Sequence, residues 1–184
     1  MTKLPPRYAF LQDEGAPRML VEALALYGTL EAPGRADNPE ILAWAHEINR
    51  NGTTWISNMF ERGGDAVPWC GLFMGAVAHR AGKPIPANPL RAMAWAGWGS
   101  PVAVPELGDV LTFTRSGGGH VGLYVGEDAQ TYHVLGGNQS DSVNITRIRK
   151  SRLYAASQYY AIGKPRNVRR IHMSATGPIS ENEA

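Results

Sequence analysis

A change of hydrophobic period near Gly108 constrains this 184-residue chain more than any other feature in it. Before that point apolar residues recur at helical spacing; after it, short apolar segments alternate between glycine-containing turns. Met19, Leu20, Ala23, Leu24 and Tyr27 share one face of a predicted helix over 17–27, closed by Gly28. Asn38-Pro39 reads as an N-cap and first helical residue, opening a second helix that turns Ile41, Leu42, Trp44, Ala45 and Ile48 inward. Residues 52–68 read as irregular connection. A third helix over 69–80 is rich in Gly71, Gly75, Ala76 and Ala78, which suits a buried helix that neighbours approach closely. A short helical piece is predicted over 91–98, and strands over 109–114, 120–125, 130–135, 142–148 and 154–162. Helices first and an antiparallel meander second make an α+β fold.

The length fits one domain, placed at 15–163, with an N-terminal extension over 1–14 and a loose tail over 164–184. No apolar run approaches the roughly 20 residues that cross a bilayer. The first residues lack the apolar core of a secretory signal, so synthesis in a cytoplasm is expected. Charge is uneven: residues 141–184 hold 8 of the 18 Lys and Arg but only 3 of the 16 Asp and Glu. Such a basic cluster attracts an anionic polymer or a membrane surface, or is simply a solvated face. No zinc-ligand spacing, helix-turn-helix pattern or ribonucleoprotein signature accompanies it, so nucleic acid is not the expected partner.

The single cysteine, Cys70, stands where a loop enters the third helix, in Val67-Pro68-Trp69-Cys70-Gly71. Unpaired N–H groups and the positive end of the helix dipole favour a thiolate there. His120 opens an apolar strand directly after Gly117-Gly118-Gly119 and is the best-placed base. Its ring needs an acceptor on the far nitrogen. Asn138, after Gly136-Gly137, can supply a side-chain carbonyl; Gln139 could do the same, and Asp141 would do it with a charge. Asn138 is the choice because it comes first after the turn. Cysteine, histidine and amide in that order form a nucleophilic site for acyl transfer through a thioester. The N–H of Cys70 would meet the oxyanion with a second, unidentified donor. Trp69, Gly119 and Gln139 are candidate substrate contacts, and Trp95 and Trp98 could line the groove with Trp69. His46, His79, His133 and His172 are assigned no chemistry.

Four segments carry a resemblance: Pro68-Trp69-Cys70-Gly71-Leu72-Phe73, Gly108-Asp109-Val110-Leu111, Gly119-His120-Val121-Gly122-Leu123-Tyr124-Val125-Gly126, and Val134-Leu135-Gly136-Gly137-Asn138-Gln139-Ser140. In that order they resemble the CHAP-type cysteine amidohydrolases and peptidases, relatives of the NlpC-type enzymes in the papain-like fold. A small phage and prophage endolysin-like subgroup also shows the early Asn-Pro. The resemblance, over about residues 15–163, implies N-terminal helices on an antiparallel sheet, with the nucleophile at the start of the central helix. It implies cleavage of an amide bond in bacterial peptidoglycan, either N-acetylmuramoyl-L-alanine or one in the stem peptide. By the family pattern Cys70 is the nucleophile, His120 the base and Asn138 the third member.

No compact Asp-rich loop suggests calcium, so no metal or other cofactor is expected. A monomer is expected, acting on the cell wall after release or delivery, with an immunity or delivery protein as a possible partner. A non-catalytic wall- or protein-binding module, or a cysteine acyltransferase or deamidase, is the alternative on the same scaffold.

Overall fold

The computed structural model describes residues 3–34, 36–49 and 54–183. Four α-helices are found among them: α1 (Arg18–Ala25), α2 (Pro39–Glu47), α3 (Trp55–Gly63) and α4 (Cys70–Arg80). They precede a six-stranded sheet of β1 (Ser100–Pro101), β2 (Val110–Arg115), β3 (Gly118–Glu127), β4 (Thr131–Gly136), β5 (Asn144–Arg149) and β6 (Leu153–Gln158). The strand order is β1-β6-β2-β3-β4-β5, and every pairing is antiparallel. The fold is α+β.

α2 begins as its sequence dictates. Asn38 Oδ1 accepts from the N–H of Glu40 at 2.8 Å, with Pro39 in the first turn. α4 is the central helix, and every residue from Cys70 to Ala78 is buried. Its glycines are required by what crosses it. A Cβ on Gly71 would stand 2.3 Å from the carbonyl oxygen of Pro89, and one on Gly75 would stand 2.8 Å from Ile48 Cδ1. β3 follows the alternation of its sequence. Val121, Leu123 and Val125 join the main core beneath the helices, while Tyr124 joins a second cluster with Leu111, Phe113, Val134 and Ile148.

Beyond the short added strand Ser100–Pro101 at the sheet edge, three segments differ from expectation. The stretch read as irregular connection contains α3, whose Ile56 and Phe60 are buried; the expected residues 52 and 53 lie outside the described ones. The N-terminal extension is part of the body. Residues Pro6–Asp13 form a 3-10 helix that buries Tyr8 and Leu11. The tail is not loose either. Met173 N donates to Glu127 O and Ser180 N to Arg147 O, each at 2.8 Å. The basic cluster is largely paired inside the molecule, since Arg147, Arg149, Lys150, Arg152, Lys164, Arg169 and Arg170 each meet a carboxylate. That leaves little free positive charge for an anionic polymer. No helix of the described residues is long and apolar enough to cross a membrane.

Candidate active site

Cys70 is the first residue of α4, after Trp69, whose carbonyl accepts from Phe73 N at 2.9 Å. The thiol lies against three backbone N–H groups, those of Val121, Gly71 and Cys70 itself. Val121 N–H belongs to the peptide that joins His120 to the rest of β3, so thiol and imidazole are held at one junction of helix and strand. His120 pairs in register with Phe113 of β2 and is 1% exposed; Cys70 is 4% exposed.

The far side of the imidazole is met by Gln139, whose Oε1 stands 3.0 Å from His120 Nε2. The Gln139 amide cannot turn round. Its Nε2 donates to the carbonyls of Asn144 at 2.7 Å and Val134 at 3.2 Å, which leaves only its oxygen for the ring. A carbonyl oxygen only accepts, so the network assigns the proton to His120 Nε2 and leaves Nδ1 as the basic nitrogen.

Asn138 is therefore corrected. It lies in a turn where Asn138, Ser140 and Asp141 take φ of 53°, 49° and 57°. These left-handed residues are costly for most side chains and tolerated by Asn and Asp. The reversal at Asn138 presents the next residue, one atom longer, to the histidine. The turn is braced by Ser142 Oγ donating to Gln139 O at 2.9 Å, and by Asn144 Nδ2 donating to the same oxygen at 2.6 Å. The glycines before it serve contact with α4: a Cβ on Gly137 would come within 2.5 Å of Phe73 Cβ and 2.7 Å of Trp69 Cζ3.

The candidate substrate contacts fare differently. Trp69 is fully buried against Trp44 and donates its indole N–H to Glu31 at 3.1 Å. Trp95 and Trp98 donate theirs to the carbonyls of Pro89 and Pro84 and are core as well. Trp69 is thus part of the core behind Cys70, while Trp98 lines a separate pocket with Lys83, Tyr159 and Tyr160. Gly119 is half-buried, with Met93 Sδ where a Cβ would reach. Gln139 spends its amide on His120 and on backbone, leaving it no role as a substrate contact.

Electrostatics also departs from the sequence expectation of a thiolate. Burial pushes the Cys70 thiol up, against the charge of Arg115 and the three N–H groups. Burial pushes His120 down to about 4, opposed by the charge of Glu183 and the Gln139 hydrogen bond and assisted by Arg115 and Arg152. At this exposure desolvation outweighs the helix N-terminus. The resting pair is a neutral thiol beside a neutral imidazole.

Arg115, Arg152 and Glu183 around the imidazole were not singled out by sequence reasoning. They carry no motif, and only the closing of the fold brings them there. His133, assigned no chemistry, is held in a separate buried network: Tyr8 Oη bonds its Nδ1 at 2.8 Å and its Nε2 bonds Asp128 Oδ2 at 3.0 Å. Among the described residues no three His, Cys, Asp or Glu side chains are grouped as metal ligands would be. Comparison with protein-family models, with curated proteins and with solved structures finds no match.

Proposed function

We propose that the protein is a cysteine hydrolase of the papain-like, CHAP-type kind that cleaves an amide bond of bacterial peptidoglycan. The observation that carries this reading is the fixed Gln139 amide, whose carbonyl binds His120 Nε2 while the Cys70 thiol lies against the peptide of the same histidine. Such an arrangement leaves Nδ1 as the nitrogen without a proton, which supports a role in taking one from the Cys70 thiol.

His120 Nδ1 takes the Cys70 proton as sulfur adds to the carbonyl carbon. The C–N bond then breaks, and the imidazolium gives its proton to the leaving amine. A water, deprotonated by the same nitrogen, adds to the thioester; the C–S bond breaks and a carboxylic acid leaves the regenerated thiol. Gln139 stabilises the imidazolium between these steps without placing a second charge in a buried site. The choice of peptidoglycan rests on the resemblance of the four ordered motifs, and the pairing of the basic cluster makes a general affinity for anionic polymer a poorer support for it.

The test is mass spectrometry of purified peptidoglycan after incubation with the wild type and with Cys70→Ala. Fragments from the wild type alone establish a cysteine-dependent hydrolase, and their masses separate amidase from endopeptidase. Binding to sacculi with no fragments from either protein sinks the hydrolase reading in favour of a binding module.

A further inference from the structure

Residues of the tail reach the turn that carries Gln139 and place a carboxylate charge near His120. Arg152 grips Glu183 with two parallel hydrogen bonds, Nη1 to Oε1 at 2.8 Å and Nη2 to Oε2 at 2.7 Å. The Glu183 side chain is 0% exposed. Its backbone carbonyl accepts from Ser140 N at 2.9 Å, in the turn that carries Gln139. Asn182 Oδ1 accepts from Arg115 Nη1 at 2.7 Å, and Ser180 O accepts from Arg152 Nη1 at 3.2 Å. Residues 180–183 thus form a strap held by the end of β2, the β4–β5 turn and the turn before β6. Arg115 Nε is buried there with no hydrogen-bond partner.

A surface ion pair does not explain this arrangement. A forked Arg–carboxylate contact is geometrically selective, and burying it is favourable only where the rest of the pocket accepts it. Here the carboxylate is close enough to the imidazole for each to shift the other's titration. The strap's backbone and side chains bond to walls on several sides, and a spare guanidinium N–H remains beside it. A peptide substrate would occupy a cleft in the same way.

We propose that Arg152, with Arg115 beside it, forms a subsite for a carboxylate of a peptide substrate, and that the chain's own Glu183 fills that subsite in the closed state. The inference rests on the hydrolase reading and narrows it: the acyl substrate carries an acidic residue near the scissile amide, and it competes with the strap for one site. Arg152 recognises the carboxylate as a fork and Arg115 adds charge and a free donor.

The test uses the full chain and does not need hydrolysis. Cys70 is the only cysteine, so intact mass reports its alkylation by iodoacetamide directly. Glu183→Ala should alkylate about tenfold faster than the wild type, as expected when a buried charged contact that holds a closed state is removed. Millimolar N-acetyl-L-glutamic acid α-amide, whose only carboxylate is the side chain, should then slow the Glu183→Ala reaction, whereas N-acetyl-L-glutaminamide, matched in shape and uncharged, should not. A wild-type rate in Glu183→Ala, or equal effects of the acid and the amide, overturns the proposal. Fast alkylation indifferent to both ligands is the behaviour of an unfolded or merely opened chain and overturns it too. Should peptidoglycan yield no fragments while the acid still protects selectively, the hydrolase reading fails and the carboxylate subsite stands.

Discussion

Truncating Gln139 to alanine tests the site at its most particular point. The substitution removes the acceptor 3.0 Å from His120 Nε2 and the donor that serves the carbonyls of Asn144 and Val134. Each buried polar group left without a partner costs about 1–3 kcal/mol. The ring N–H of His120 and the Asn144 carbonyl are the two most exposed to that loss, so the fold should weaken by about 2–6 kcal/mol. On the proposed function, catalysis should suffer separately. An imidazole free to flip or to change tautomer presents Nδ1 correctly only part of the time, and losing one orienting bond of about 2–3 kcal/mol corresponds to roughly a hundredfold fall in kcat/KM.

The assay is the rate of fragment release from peptidoglycan, measured on variants whose thermal melts show them folded. Imidazole 15N NMR reads the tautomer without any substrate and should show the proton on Nε2 in the wild type. Asn138→Gly is the control. It keeps the left-handed backbone at φ of 53° and removes the side chain first expected to hold the histidine. The reasoning is refuted if Asn138→Gly loses as much activity as Gln139→Ala, or if the wild-type ring carries its proton on Nδ1.

Three further outcomes follow from named contacts. Asp109 is 1% exposed, its Oδ1 has no partner, and burial pushes its carboxyl up to about 7 from 3.8. A carboxyl raised in the folded state contributes stability that is present at acid pH and lost as pH rises through about 7. Asp109→Asn should therefore be near neutral at pH 4 and stabilising at pH 8, by at most about 4 kcal/mol at 1.4 per unit, in paired thermal melts. Gly137→Ala drives a Cβ into Phe73 and Trp69, and should lower stability by about 1–3 kcal/mol while displacing the turn that carries Gln139; denaturant unfolding and the alkylation rate of Cys70 check both. Asp128→Asn removes the charge facing Arg147 at 2.7 Å in a pair 2% and 7% exposed, and should cost about 3–5 kcal/mol in urea unfolding.

Much of the scaffold was legible because its signals are local. The Asn38-Pro39 start of α2, the small residues of α4 and the alternation of β3 each need only a few neighbouring residues to be read. α3 was legible too, since Trp55, Ile56, Met59 and Phe60 repeat the spacing that identified α1. Gly63-Gly64 and Pro68 pull the reading of 52–68 toward irregular connection instead. The choice between Asn138 and Gln139 was not local in the same way. Adjacent amides after a glycine pair are equivalent in sequence, and only a backbone reversal through φ of 53° decides which of them faces the strand. The tail is the extreme case. Glu183 meets Arg152 across 31 positions, and Asn182 meets Arg115 across 67, so no window of sequence contains either pair.

Those distant contacts bear on the chemistry more than the local ones do. A cysteine at a helix start, with three N–H groups and an arginine charge around its sulfur, has what it takes to ionise, yet burial pushes its thiol up. The same burial drives His120 down, although the Glu183 charge and the Gln139 carbonyl both favour its protonated form. In each case the favourable groups are already in place and one unfavourable effect outweighs them. Desolvation is the one effect that a moving strap can remove, because helix, strand and Gln139 turn belong to the packed core while residues 180–183 are held chiefly by side-chain and single backbone contacts. Admitting water lowers the thiol and raises the imidazole together, since burial is the largest cause acting on both. The loss of the Glu183 charge works against the second change, but as the smaller of the two effects on His120. On the proposed reading, a strap that leaves shifts the neutral pair toward a thiolate–imidazolium pair with Cys70, His120 and Gln139 already in place.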